Sequence, residues 1–442
     1  MIMKKNDILE VVASDYSLAG WAVAKPDNFP LFIKGLLVGE KAEIVVTRLE
    51  KHYGYGKVRC LLSRSPHRVE ARCPVAGQCG GCQFQHIAYD NQLKIKDQLV
   101  QQVIERKGQG SYKYAGINGM EHPLPYRNKV QIPFAFADNG NLASGFYRVN
   151  SHDIINMDYC NLQSELTNAV YQRVRDLVVT YNLAAVLRHL VIRESSIKKE
   201  LMLILVVKDG QIGDTRSFVK EITKEFPMIT SIFLNYNTSN GNVILGEKLR
   251  LLYGQSYLTD ELLGYKFQIS PKAFYQINSR QCEQLYRKAS QLAEITVQDC
   301  VLDLFCGVGT IGIILAKQAK KVIGIEIVEE AVIAAQANAK VNGCNNIEFY
   351  CGDAAMLSKQ LPEEISVVFV DPPRQGLSEQ TRSNIKKLKA QRLLYISCNP
   401  LTFIRDLEDL KEVYDVGTIW GFDMFPYTSH IELVCRLDIK SK

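Results

Sequence analysis

Residues 300–319, "CVLDLFCGVGTIGIILAKQA", run from an apolar strand through a glycine turn into an apolar helix. Gly307 and Gly309 let the backbone turn tightly and approach a ligand closely. Outward from this unit the same rhythm repeats. "KVIGIEI" reads as a strand and "VEEAVIAAQANAKVNG" as a helix. "IEFYCGDA", "ISVVFVDPPR", "RLLYISCNP" and "HIELVCRL" supply further strands. Alternation of this kind from Pro271 onward predicts a doubly wound α/β sheet, whose ligands lie at the carboxyl ends of its strands.

Glu326 follows Gly307 by nineteen residues, at the end of the next strand. An acid there can accept hydrogen bonds from ribose hydroxyls. The turn itself reads DxFxGxG, with Asp303 before it, and not the GxGxxG of dinucleotide enzymes. This version resembles that of S-adenosyl-L-methionine (SAM) methyltransferases. Asp353, in "CGDA", ends the third strand. It fits either a place near the adenine or a helix N-cap.

Cys398 ends the strand "LLYIS", and "NPLTFIRDLEDL" after it reads as a helix with Pro400 near its start. A cysteine at a helix N-terminus tends towards thiolate, so a reactive thiolate is expected at the cofactor edge. Methyl transfer to nitrogen or oxygen needs no thiolate. Methylation of a pyrimidine at carbon 5 does: a thiolate adds to carbon 6, carbon 5 becomes nucleophilic, and a base later removes the carbon 5 proton. Asp371, in "VVFVDPPRQGL", stands at the same edge, and "TSHIELV" places His430 and Glu432 on one strand face. Glu432 is a candidate base.

"VDPPRQGL", "ISCNP" and "TSHIELV", in that order after "LDLFCGVGT", resemble the RNA uracil-5-methyltransferase family, and "SPKAFYQIN" upstream matches its cofactor-gate motif. The resemblance implies Cys398 as nucleophile and Glu432 as base. It implies SAM binding by Gln276, Phe305, Glu326 and Asp371, with Asp371 and Gln276 also near the target uracil. Phe274 would contact RNA. Arg127, in "YRNKVQ", matches a family arginine near the active site and equally suits a structural salt bridge.

"CPVAGQCGGCQFQH" gives Cys73, Cys79 and Cys82, with Cys160 in "MDYCNL" the best candidate for a fourth ligand. Zinc ribbons bring two Cys-x2-Cys pairs, and only one is present here. Three clustered cysteines and a distant fourth suit a 4Fe-4S cluster better. Zinc and free thiols are the alternatives. Gly80 and Gly81 are expected to aim amide N–H groups at the sulfurs, and His86 to satisfy a local hydrogen bond. The spacing resembles the iron–sulfur branch of the family, which acts mainly on ribosomal RNA.

The remaining chain fits a cytoplasmic RNA enzyme. Among 442 residues no run of about 18 apolar residues suggests a membrane span. Twelve cysteines without an export signal point to reducing conditions. Residues 1–130 hold 19 Lys and Arg against 12 Asp and Glu, while the remainder holds 34 against 35. A basic first third fits a module facing phosphates. Its short strands over 5–62 suggest a small β-barrel. "GWAVAK", "LFIKGLLVGEKAEIVVT" and "SPHR" resemble a TRAM domain, an OB-like RNA-binding module. Lys25, Lys34, Lys51, Lys57 and Arg59 could meet phosphates there, with Tyr53 and Tyr55 stacking on bases.

The expected fold is therefore multidomain α/β. A TRAM barrel spans 1–62. A central α+β domain with the four cysteines spans 63–270, its segment near 91–118 packing on the catalytic part. A Rossmann-like methyltransferase domain spans 271–442. The expected reaction is SAM-dependent 5-methylation of uridine in 23S rRNA, with no obligate protein partner. A tRNA uracil methyltransferase and a cluster-bearing RNA-binding protein with an inactive methyltransferase domain are the rivals. A cytosine-5 enzyme is disfavoured by "DPPR" with "SCNP".

Overall fold

The structure is a computed structural model and describes residues 3–108, 112–136, 141–208, 212–239, 241–357, 361 and 364–441. Residues 109–111, inside the segment expected to pack on the catalytic part, lie outside the described residues. The first six strands form one sheet in the order Ile8–Val12, Lys41–Leu49, Gly54–Leu61, Leu31–Lys34, Ala22–Ala24, Asp15–Tyr16. Its two edge strands are consecutive in the chain, separated by Ala13 and Ser14 alone. Ala13 N–H donates to Glu40 O at 3.1 Å and Ser14 N–H to Val23 O at 2.8 Å. One bent strand thus bridges both edges, and closure leaves no free edge. Alternation along Lys41–Leu49 sends Ala42, Ile44 and Val46 into the interior. Arg68, in the following linker, meets both oxygens of buried Glu40 at 2.6 Å and ties that linker to the barrel.

The helix Tyr89–Lys107 buries Gln92, Ile95, Lys96, Leu99, Val100 and Val103 along one stripe. It packs on the helix Pro400–Leu410 and on the strand Tyr114–Asn118. That strand pairs in parallel with Ile419–Phe422 and so belongs to the C-terminal sheet.

The central sheet has seven strands, ordered Ile154–Asn156, Leu142–Tyr147, Lys129–Phe136, Leu187–Glu194, Leu201–Val207, Ile229–Tyr236, Lys248–Gly254. Leu201–Val207 is buried throughout, as its unbroken apolar run requires. Helices Glu165–Thr180 and Thr215–Glu225 contribute to the core with this sheet. Ser164 caps the first of them by accepting from Thr167 N–H at 3.0 Å.

The C-terminal sheet runs Ile347–Cys351, Lys321–Glu326, Cys300–Leu304, Val367–Val370, Arg392–Ser397, Glu432–Ile439, Ile419–Phe422, Tyr114–Asn118, with Tyr414–Val416 pairing off this path. The first five strands are parallel. From Cys300–Leu304 the chain steps outward twice, then returns to the other side of that strand. The reversal opens a crevice at the strand ends. The hairpin Leu258–Leu262 and Tyr265–Ile269 places Leu262, Phe267 and Ile269 in the core of this sheet. The sequence reading put it in the central part, because hairpin alternation looks the same beside either neighbour. No helix among the described residues is long and apolar enough to cross a membrane.

Candidate active site

Phe305 (φ 65°), Gly307 (φ 55°) and Gly309 (φ 81°) carry the turn from strand Cys300–Leu304 into helix Thr310–Ala316. A Cβ on Gly309 would lie 2.8 Å from the Phe349 ring, so only glycine fits there. Asp303 is buried and accepts from Gly312 N–H at 3.0 Å, pinning helix to strand. Its other oxygen has no hydrogen-bond partner among the described residues, and burial pushes its pKa up to about 8. Glu326 accepts from Gly307 N–H at 3.0 Å and from Val328 N–H at 3.0 Å, so its carboxylate sits across the turn. A cleft of about 520 Å³ opens beside them, lined by Phe305, Ile325, Asp353 and Pro373 among others. Asp353 lines it and accepts from Ala355 N–H at 2.6 Å, as the helix-cap reading expects. Gln276 does not line that cleft. It lies just before helix Ser279–Ala293, its carbonyl accepting from Asn128 Nδ2 at 2.9 Å.

Cys398 follows strand Arg392–Ser397, and Asn399 caps the helix Pro400–Leu410 by accepting from Leu401 N–H at 3.1 Å. Strand register brings the other groups to it. Ser397 pairs with Leu433 in the antiparallel ladder, so the next step sets Cys398 opposite Glu432. Val370 pairs with Tyr395 on the other side, so Asp371 ends the adjacent strand. Asn399 Nδ2 donates to Arg374 O at 2.9 Å, fastening the loop after Asp371 to the cysteine turn. The Arg374 guanidinium reaches the His430 ring at 3.3 Å.

Electrostatics correct one expectation. Burial pushes the Cys398 thiol up to about 11, and the neighbouring Glu432 and Asp371 push the same way. Arg374 opposes them weakly. Desolvation and the neighbouring acids thus oppose the thiolate that the helix N-terminus favours. Glu432 is buried and raised well above the usual carboxylate range by desolvation, with Asp371 adding to it. Asp371 is itself pushed up to about 7 by desolvation. Asp303, Asp371 and Glu432 are thus three buried acids whose charges disfavour one another, and a cation placed beside them would relieve that.

Cys73, Cys79, Cys82 and Cys160 all line one cavity of about 290 Å³. Gly81 N–H donates to Cys79 Sγ at 3.3 Å, as the paired glycines suggested, and Gln85 Nε2 lies 3.5 Å from Cys82 Sγ. Arg127 lines the same cavity, its Nε without a hydrogen-bond partner and its charge beside Tyr126, Cys82 and Cys160. Among the described residues no three His, Cys, Asp or Glu side chains form a group that could hold a metal ion. His86 Nε2 is buried and meets no hydrogen-bond partner among the described residues.

Comparison with known proteins decides the family. A family model described as tRNA (Uracil-5-)-methyltransferase matches residues 89–439. An uncharacterized RNA methyltransferase of Halalkalibacterium halodurans is 39% identical over 99% of this chain and 98% of its own length. Another, from Staphylococcus aureus, is 38% identical over 99% of both. This chain belongs to the tRNA (uracil-5-)-methyltransferase family. Among solved structures it is similar to the tRNA (uracil-54, C5)-methyltransferase of Pyrococcus abyssi in complex with S-adenosyl-L-homocysteine. The TM-score is 0.78 and the identity 28%, over 97% of this chain and 99% of that one.

As a uracil-5-methyltransferase it is an RNA-modifying enzyme, which the strand-end constellation suits. Arg374 is the charged neighbour of Cys398 and Glu432 that sequence reasoning passed over. Its place in "DPPR" was the available signal. For the methyltransferase without ligands, carboxamidomethylation of the Cys398 peptide should rise about tenfold per pH unit between about pH 7 and 9, because only the thiolate reacts. Peptide mass spectrometry measures it. A rate already level above about pH 7.5 would show a preformed thiolate instead.

Proposed function

We propose that this enzyme methylates carbon 5 of uridine in 23S rRNA, using SAM and covalent catalysis by Cys398. The observation that carries the reading is the ladder register that sets Cys398 opposite buried Glu432, with Asp371 on the next strand end. Phe305, Glu326 and Asp371 would bind SAM, with Gln276 closing from the approach segment. SAM, when bound, would supply the methyl group and bring positive charge near the buried acids Asp371 and Glu432. That charge offsets the burial and carboxylates that hold Cys398 protonated. Cys398 would give its proton to solvent, its thiolate would add to carbon 6, and the electron pair would move through the ring to carbon 5. Carbon 5 would then take the methyl group, and the demethylated cofactor would leave as the neutral thioether. Glu432 as carboxylate accepts the carbon 5 proton, the carbon 6–sulfur bond breaks, and Cys398 leaves with its electron pair. A carboxyl held above its usual range is the stronger base once ionised.

Three parts would carry this chemistry: a TRAM barrel over 1–62, a central α+β domain over 63–270, less the hairpin at 258–269 whose core lies with the third part, and a Rossmann-like domain over 271–442. The helix and strand between 89 and 118 pack with the third. Cys73, Cys79, Cys82 and Cys160 line one cavity without forming a metal-holding group among the described residues, and would have to draw together to hold a 4Fe-4S cluster. The shared cavity, the Gly81 N–H on Cys79 and the Arg127 charge support that donor set. Its contribution would be structural cross-linking, since uracil methylation moves no net electron. On the barrel, Trp21, Phe32, Tyr53 and Tyr55 form a group of rings with centroids 5.6–5.9 Å apart. With Lys34, Arg48 and Lys57 nearby, they suit single-stranded RNA. Reduced thiols make the cytoplasm the place of action in this reading.

The choice of 23S rRNA rests on the four-cysteine pattern. Incubation with labelled SAM and separate 23S fragments or tRNA tests it. Label in a 23S fragment, as 5-methyluridine, is expected. Label in tRNA alone would move the substrate to tRNA.

A further inference from the structure

Buried Lys96 is the least expected charge in the molecule. It lies on the helix Tyr89–Lys107 and is fully shielded from solvent, as is its partner Asp423. An ammonium group has three N–H donors. Here they meet Asp423 Oδ1, Phe425 O at 3.1 Å and His430 O at 2.9 Å. Every acceptor belongs to the 423–430 loop, which runs directly into Glu432. One turn earlier on the same helix, Gln92 Oε1 accepts from Tyr427 N–H at 3.0 Å. Tyr427 O in turn accepts from Gln83 N–H and Phe84 N–H, each at 3.0 Å. Tyr427 has a φ of 65°, a conformation that non-glycine residues rarely adopt unless their surroundings impose it. Tyr89 OH donates to the other Asp423 oxygen at 2.8 Å.

A buried ion pair adds little stability over an apolar pair of the same size. Its distinctive contribution is directional, fixing acceptors along one loop. We propose that Lys96, Asp423 and Gln92 are positioning residues that clamp this loop and aim Glu432 at the carbon 5 proton. The clamp acts on the elimination step, after methyl transfer. The inference rests on the uracil chemistry proposed above.

The test uses the full-length enzyme, SAM and an ordinary uridine RNA that the wild type methylates. Two variants are compared: Lys96→Met/Asp423→Asn, which removes both charges together, and Gln92→Met, which removes one loop contact without stranding a charge. Expected is a fall in kcat of about a hundredfold for the first and about tenfold for the second. KM for SAM and RNA should stay within about twofold. Protein linked covalently to RNA should accumulate on a denaturing gel, because addition and methylation proceed while release stalls. If the double variant does not fold, the Gln92→Met variant decides by the same readouts. A lower kcat without linked RNA, or an unchanged kcat, overturns the clamp. Wild type that forms no adduct with 5-fluorouridine RNA would instead overturn the underlying chemistry, which separates the two failures.

Discussion

Replacing Cys398 with alanine should abolish methyl transfer, lowering turnover by about 10⁶-fold, the scale seen when a covalent nucleophile is lost. Carbon 5 of uracil is too weak a nucleophile to attack without prior addition at carbon 6. Of the charged groups beside it, Glu432 and Asp371 are acids with raised pKa values and Arg374 is a guanidinium, and none of the three is a thiol. The fold should survive. Cys398 is only partly buried and its thiol sits at a strand end, outside the main cores. SAM binding should therefore persist in Cys398→Ala, and single-turnover assays with labelled SAM measure the loss. Retained transfer above about one part in a thousand would point to a direct, non-covalent route.

Glu432→Gln should lower turnover by about 10²–10⁴-fold, the usual range for a general base. Its distinguishing result is an enzyme–RNA adduct that builds up with ordinary uridine. Glutamine keeps the size and part of the polarity of the side chain. It also removes an acid that pushes the Cys398 thiol up, so addition is not disfavoured. Methylated intermediate forms and cannot lose its proton. A slow variant with no adduct would assign the base to another group, with Asp371 the first to examine.

The sequence was most readable where local pattern and site coincide. Cys398 before Asn399 and Pro400 marks a strand end and a helix start, and the structure has both, with Asn399 as the cap. Asp371 and Glu432 likewise sit where their apolar strands stop or begin. The four cysteines share a cavity although Cys160 stands far along the chain. What sequence could not weigh was competition between distant terms. The helix N-terminus next to Cys398 is visible in the sequence, but the two acids beside it come from other strands. Lys96 lies within the apolar stripe of its helix. A lysine at a core position is legible only once Asp423, more than three hundred residues away, supplies the counter-charge. The hairpin at 258–269 falls inside the expected central bounds, yet Leu262, Phe267 and Ile269 join the core of the C-terminal sheet, because strand alternation does not name the partner layer.

The most direct measurement offers the enzyme RNA containing 5-fluorouridine, as 23S fragments and as tRNA, with SAM present. Fluorine cannot leave carbon 5 as a proton does, so the methylated adduct stays bonded to sulfur. The account predicts an RNA-linked band on a denaturing gel, formed with a 23S fragment and absent in Cys398→Ala. No adduct with any RNA, despite measurable SAM binding, would contradict covalent addition by Cys398.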